Sequence, residues 1–272
     1  MSPPLHVVER PAEPARARPD ALPYLLVHGS MDRADSFSRL MLELRDAPVL
    51  AYDRRGYAHS TARPPSERFE DQVADLLEVT AGRPVVALGH SFGGGVVLAA
   101  AAAHPEVIRA AVVWEPPMPW LEWWPRRSAP HLDGASDPED VAERFMLHMV
   151  GERIWSRMPE ATRGRRRAEG PTLLAEMASI RQPAWDPATV GAPVLVGTGT
   201  ESRPHHRRSA GELAGALPGG QLRTIPGADH GAHLTHPGPL ASLLREAAAA
   251  AAVGTEFRAA AESEPLGAGE EG

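Results

Sequence analysis

The sequence predicts an α/β chain with a mostly parallel central sheet, flanking helices and a helical cap. Three observations predict it. Strand and helix patterns alternate from Pro23 onward, as they do where helices cover a parallel sheet. The alternation breaks between Pro116 and Pro187 and then resumes. A glycine-rich turn, Gly89-His90-Ser91-Phe92-Gly93, joins an apolar strand to a helix, which is the setting that G-x-S-x-G requires.

Tyr24–Val27 and Pro48–Tyr52 are short apolar runs ending at His28-Gly29 and Asp53, and both read as buried strands. Phe69, Val73, Leu76 and Leu77 recur at helical spacing with Glu70, Asp71, Asp75 and Glu78 between them, the pattern of an amphipathic helix. Val85–Leu88 is the next strand; a helix through Ala103 and a strand over Ile108–Trp114 follow. The interruption, about 70 residues long, exceeds an ordinary αβ connection and reads as a small second domain or a cap over a site. It holds five of the six tryptophans and two helical patterns, near Pro138–Val150 and Pro171–Ile180. Strand Pro193–Val196, a helix near Ser209–Leu217, strand Gln221–Ile225 and a helix over Leu240–Val253 complete the pattern.

Composition removes several chemistries. The chain has 272 residues, no cysteine and no lysine, every basic residue being arginine. A disulfide scaffold, a thiol nucleophile, a Cys-ligated zinc site, a Schiff base and a Walker-A lysine are therefore excluded. The net charge of -7 argues against a nucleic-acid partner. Residues 254–272 carry -4 of it, however, so the acidity says nothing about substrate charge. The longest apolar runs, Val96–Ala103 and Ala247–Val253, fall far short of the roughly 20 residues of a membrane span. Residues 1–20 lack a signal-peptide pattern, and a cytoplasmic protein without membrane association is expected.

At the serine turn the reasoning is steric. A serine between a strand and a helix sits in a strained conformation, and Gly89 and Gly93 let the two elements close on each other. The helix N-terminus then aims N–H groups at the space above Ser91, so the Phe92 N–H suits a developing oxyanion. A phosphate-cradling loop would need a G-K-[ST] sequence that is absent.

With these residues in place, the chain resembles the α/β-hydrolase fold family over roughly Pro23 to Ala252. Four segments carry the likeness in the family's order. His28-Gly29-Ser30 resembles its HG turn, which implies Ser30 N–H as the second oxyanion donor. Asp53-Arg54-Arg55-Gly56-Tyr57-Ala58-His59-Ser60 is similar to its D-x-R-G-x-G-x-S loop, with Ala58 in place of a glycine. The serine turn is the third. Pro226-Gly227-Ala228-Asp229-His230-Gly231 resembles the segment bearing the catalytic histidine. The cap then follows the sixth family strand, here ending at Trp114.

The resemblance implies a serine hydrolase that cleaves an ester or related acyl bond through an acyl-enzyme, and the tryptophan-rich cap, where its rings line the pocket, makes a medium-sized, largely apolar small molecule the expected substrate. Ser91 would be the nucleophile and His230 its base. Two acids are open: Glu115, directly after the Ile108–Trp114 strand, and Glu201, in the loop where most of the family places an Asp. Glu115 is preferred, because a strand's C-terminal end faces the crevice where sites of open α/β sheets form. A cofactor-free perhydrolase, a carbon–carbon bond hydrolase or a non-catalytic ligand-binding relative would fit the same motifs. A dinucleotide fold is dropped, because Gly197-Thr198-Gly199 lacks a third glycine.

Several other residues have plainer expected roles. His233 and His236 follow His230 at intervals of three, but without a carboxylate at matching spacing no metal is expected, and no cofactor. His90 is expected to pack or line the pocket, His28 to support its turn, Asp53 and Arg54 to hold their loop, and Asp229 to form a turn. Trp114, Trp120, Trp123, Trp124 and Trp155 are expected to roof the serine or pack the cap, and Arg163-Gly164-Arg165-Arg166-Arg167 to be a solvated run. Residues 1–20 are an extended N-terminal segment, 21–116 and 187–253 the body, 117–186 the cap, and 254–272 a disordered acidic tail.

Overall fold

The computed structural model describes residues 3–125 and 137–263. Seven strands form one sheet: β1 (Val7–Arg10), β2 (Tyr24–Val27), β3 (Val49–Tyr52), β4 (Val85–His90), β5 (Ile108–Trp114), β6 (Val194–Gly199) and β7 (Gly220–Ile225). Their order is β1-β3-β2-β4-β5-β6-β7. All pairings are parallel except β1 with β3. The central strands are buried along their whole length, as a sheet covered on both faces demands.

Side chains alternate between two cores, as the twofold period of a strand requires. Leu25, Val27, Leu50 and Tyr52 face α2 (Phe69–Thr80), α3 (Phe92–Ala103) and α8 (Pro204–Ala216). Tyr24, Leu26, Val49 and Ala51 face α1 (Ser38–Glu43) and α10 (Pro237–Ser263). Register then decides where the loops emerge. Val27 pairs Gly89, His90 pairs Trp114, and Trp114 pairs Gly197. The residues that follow β2, β4, β5 and β6 therefore leave the sheet at one edge, the place where open α/β sheets build sites.

Among the described residues, the segment between β5 and β6 carries four α-helices: α4 (Pro138–Val150), α5 (Glu152–Trp155), α6 (Glu160–Ala168) and α7 (Gly170–Ser179). Val141, Ala142, Met146, Trp155 and Leu173 cluster there with Met31 and Tyr57 of the body. The tryptophans mostly pack. Trp124 and Trp185 join the sheet's core cluster, Trp114 the opposite one and Trp155 the cap's own. Trp120 and Trp123 are partly buried against that first cluster.

Several elements depart from the sequence expectations, among them the short helices α1, α5 and α6, which the sequence does not mark, and three further ones. Val7–Arg10, within the extended N-terminal segment, pairs with β3 from Val7↔Tyr52 to Arg10↔Val49; four residues among prolines and charges are too few to show strand periodicity. Helix α8 begins at Pro204 rather than near Ser209, with proline in its first turn, where the missing N–H has no intrahelical partner to lose. Helix α10 runs to Ser263, which corrects the reading of residues 254–263 as disordered tail. Alanine is the best helix former, and the alanine run continues a helix that acidic composition alone does not stop. The rest of that tail, 264–272, lies outside the described residues. Among the described residues, no helix is long and apolar enough to cross a membrane.

Asp75, on the face of α2 expected to be solvated, is buried and binds two arginines. Arg55 reaches it at 2.7 and 2.9 Å and Arg63 at 2.7 Å. Arg63 also binds Glu78 at 2.9 Å. This network joins the loop after β3 to α2.

Candidate active site

Ser91 follows β4 and precedes α3 with φ 53° and ψ −124°, a strained region for a residue with a side chain. Its N–H donates to the Trp114 carbonyl at 2.8 Å, and its carbonyl accepts from Gly94 N–H at 2.8 Å. Glycine is needed on both sides. A Cβ on Gly89 would overlap the Gly93 carbonyl, and one on Gly93 would overlap the Val27 carbonyl. Although Ser91 is the N-cap of α3, its side chain makes no capping hydrogen bond, unlike an ordinary N-cap serine. Gly29 abuts it, since a Cβ there would lie 2.9 Å from Ser91 Cβ.

Glu115 follows β5 with φ 50° and is 0% exposed. Thr198 Oγ1 donates to its Oε1 at 2.7 Å, and its Oε2 lies 2.8 Å from His230 Nδ1. Burial pushes the Glu115 carboxyl up, but the hydrogen bond and charge of His230, with His206 and Ser202, hold it down at about 2. An ionised carboxylate on Nδ1 fixes the imidazole tautomer that leaves Nε2 free as a base. Glu201 is exposed; its side chain contacts Thr200 Oγ1 at 3.4 Å. Of the two candidate acids the structure brings only Glu115 to the histidine.

The His230 loop is held through its backbone. Trp114 Nε1 donates to the Asp229 carbonyl at 3.2 Å, and Gly231 N–H donates to Asp229 Oδ1 at 2.9 Å, so Asp229 forms the turn. His90 Nε2–H donates to the His230 carbonyl at 2.9 Å, a positioning contact rather than pocket lining. Burial, with the neighbouring histidines, pushes His90 well below its ordinary value, so it stays neutral. His206 stacks on His230 with ring centroids 4.6 Å apart and an interplanar angle of 19°. Burial first, then the charge of His230, pushes His206 down to about 3.

The turn after β2 is held from beneath. His28 Nδ1–H donates to the Gly29 carbonyl at 2.7 Å, and its Nε2 accepts from Arg54 N–H at 2.9 Å. Burial and the adjacent Arg54 charge push His28 down to about 3, consistent with a neutral ring that donates on one side and accepts on the other. Arg54 is fully buried. It donates to the His28 carbonyl at 2.8 Å, to the Gly29 carbonyl at 3.0 Å and to Glu176 of α7. Ser30 Oγ and Tyr57 OH also donate to Glu176, at 2.5 and 2.8 Å. Among the described residues, neither Ser30 N–H nor Phe92 N–H is paired with an acceptor.

Asp53 accepts from Ala34 N–H at 2.8 Å and His59 N–H at 3.1 Å, a loop-holding role as expected. Ala58, standing where glycine was expected, adopts φ 47°, and its N–H is held by Glu169 at 2.9 Å. Sequence reasoning missed Glu176, His206 and Thr198. A glutamate three residues after Leu173 on an otherwise apolar helix face was the available signal for Glu176.

His230, His233 and His236 do not converge. His233 pairs with Asp32 at 3.2 Å and His236 lies on Thr235. Three described groups bring possible metal-ligating atoms within 4.8 Å: Glu115 with His206 and His230, Asp32 with His90 and His233, and His6 with Asp53 and His59. In the first, the Glu115 and His230 atoms already bind each other.

A sequence model of the alpha/beta hydrolase family matches residues 24–243. Lipase LipV of Mycobacterium tuberculosis is 33% identical over 108 residues, which span 39% of this chain and 39% of that protein. Among solved structures, a bromoperoxidase from Bacillus anthracis is 20% identical with a TM-score of 0.69, over 89% of this chain and 94% of its own. A thermophilic esterase from Thermogutta terrifontis is 20% identical with a TM-score of 0.67, over 89% and 92%. At such identities the structural likeness is one of fold.

Proposed function

The chain belongs to the alpha/beta hydrolase family, and from that premise we propose that it is a serine hydrolase acting on an ester or related acyl bond of a medium-sized, largely apolar molecule. The observation that carries this reading is the 2.8 Å contact of Glu115 with His230 Nδ1, at the sheet edge where Ser91 stands strained and uncapped. The name of a lipase among its relatives points the same way.

Ser91 Oγ attacks the acyl carbon while His230 Nε2 takes its proton, and Glu115 stabilises the imidazolium that forms. The N–H groups of Ser30 and Phe92 receive the charge that develops on the carbonyl oxygen. The imidazolium then protonates the leaving alcohol, and an acyl-enzyme remains. Water, deprotonated by His230, attacks the acyl carbon and frees Ser91.

Labelling with a fluorophosphonate, together with turnover of p-nitrophenyl esters of increasing acyl length, tests the reading. Labelling that vanishes in Ser91→Ala, and a turnover optimum at intermediate length, are expected. A folded wild-type protein that takes no label, or label that survives Ser91→Ala, overturns it.

A further inference from the structure

Glu176 stands on the cap, in α7, yet its carboxylate reaches the turn that carries Ser30. One oxygen accepts from Ser30 Oγ at 2.5 Å and from Tyr57 OH at 2.8 Å; the other takes Arg54 Nη1. Both side chains of the ion pair are buried, Arg54 at 0% and Glu176 at 1% exposure. Arg54 directs Nε to the His28 carbonyl at 2.8 Å and Nη2 to the Gly29 carbonyl at 3.0 Å, and its Nη1 also donates to Gln72 Oε1 of α2 at 3.3 Å.

The Gly29 carbonyl belongs to the same peptide unit as the Ser30 N–H. A trans peptide is planar, so its C=O and N–H point in opposite directions. Whatever clamps the Gly29 oxygen therefore aims the Ser30 N–H. Two donors clamp it, Arg54 Nη2 and His28 Nδ1–H. The guanidinium also lies 4.7 Å from the ring centroid of Phe92, the residue that supplies the other proposed oxyanion donor. Away from these carbonyls, Arg54 Nη1 is held by the neutral amide of Gln72 and by the carboxylate of Glu176, the charged partner, which comes from the cap.

We infer that Glu176 is a positioning residue for the oxyanion hole: by holding Arg54 and the Ser30 hydroxyl, it makes the aim of the Ser30 N–H depend on the seating of α7. The inference rests on the serine-hydrolase reading above. A buried guanidinium without its carboxylate is an uncompensated charge, and an Arg54 released from Glu176 no longer holds the Gly29 carbonyl at a set angle. Preorganised donors work only when aimed where the charge develops, so the loss falls on the transition state rather than on ground-state binding.

The test compares wild type, Glu176→Gln and Ser30→Ala for ester turnover and for affinity toward a trifluoromethyl ketone, which forms a tetrahedral adduct bearing an oxyanion. For Glu176→Gln, kcat falls by about 100-fold, KM stays within about twofold, and ketone affinity falls in parallel with kcat/KM. Ser30→Ala removes only one of the Glu176 contacts and gives the same pattern at about tenfold; it serves where Glu176→Gln fails to fold. A lowered Tm with unchanged kcat and ketone affinity, measured well below Tm, would mean that Glu176 is merely structural and overturns the inference. Wild-type protein that takes no fluorophosphonate label fails the serine-hydrolase reading itself, an outcome distinct from a labelled enzyme indifferent to Glu176→Gln.

Discussion

His230 Nδ1 lies 2.8 Å from Glu115 Oε2, although 115 residues of chain separate them. The contact exists because β5 and β6 are parallel neighbours. Glu115 leaves the end of β5 beside Thr198 and Gly199 of β6, whose side-chain hydroxyl and main-chain N–H donate to its other oxygen at 2.7 and 3.3 Å. A carboxylate held this way orients an imidazole without rotating itself.

Glu115→Gln is expected to lower kcat for a p-nitrophenyl ester by about 10³- to 10⁴-fold, as when the orienting acid of a triad loses its charge. Glu201→Gln, on an exposed loop, should change it by less than about twofold. The reverse ranking in steady-state assays would assign the acid to Glu201.

The same pair sets a pH dependence of stability. The Glu115 carboxyl is held at about 2, below its ordinary 4.5. The folded state therefore gains stability from its ionised form that is fully present above pH 4.5 and disappears as pH falls toward 2. Urea midpoints of wild type and Glu115→Gln, compared across this window, should converge on acidification. A gap that is constant or widening contradicts the assignment.

Gly93→Ala places a methyl against the Val27 and His28 carbonyls. Strand and helix must then separate at the serine turn, at a cost of more than about 2 kcal/mol and with loss of fluorophosphonate labelling. Gly211→Ala, in α8, meets nothing within 4 Å and should stabilise by up to about 1 kcal/mol. Thermal unfolding of the two variants reads both signs, and equal destabilisation would refute the steric account.

Asp75→Asn leaves Arg55 and Arg63, both largely buried, without their shared carboxylate. Removing one partner from a buried ion-pair network costs about 3–5 kcal/mol. Equilibrium urea unfolding measures it, and a loss below about 1 kcal/mol would show the arginines to be satisfied elsewhere.

Legibility followed the range of the interactions involved. Ser91 and its glycines were readable because the turn's steric demand is met within five consecutive residues. His230 was readable because it sits in a short segment after a strand. From the sequence, Glu115 is one of two candidate acids beside Glu201, since choosing between them needs the neighbour of β5. Glu176 shows in the sequence only as a glutamate on an apolar helix face; its partner Ser30 lies 146 residues away, so nothing local names what it binds. The tail was misread from composition, and Asp75 from helical periodicity; periodicity reports which face is polar on average and says nothing of an arginine arriving from another loop.

By itself, then, the amino-acid order determined the alternation of strands and helices, the strained serine turn, the place of the cap, and the exclusion of thiol and lysine chemistry. Each of these depends on residue type or on contacts a few positions apart. The tertiary structure alone decided that Glu115 meets His230, that β1 pairs with β3, and that a cap glutamate braces the turn bearing Ser30. Those relationships arise from strand register and helix docking, which bring distant residues within hydrogen-bonding distance only once the sheet has formed.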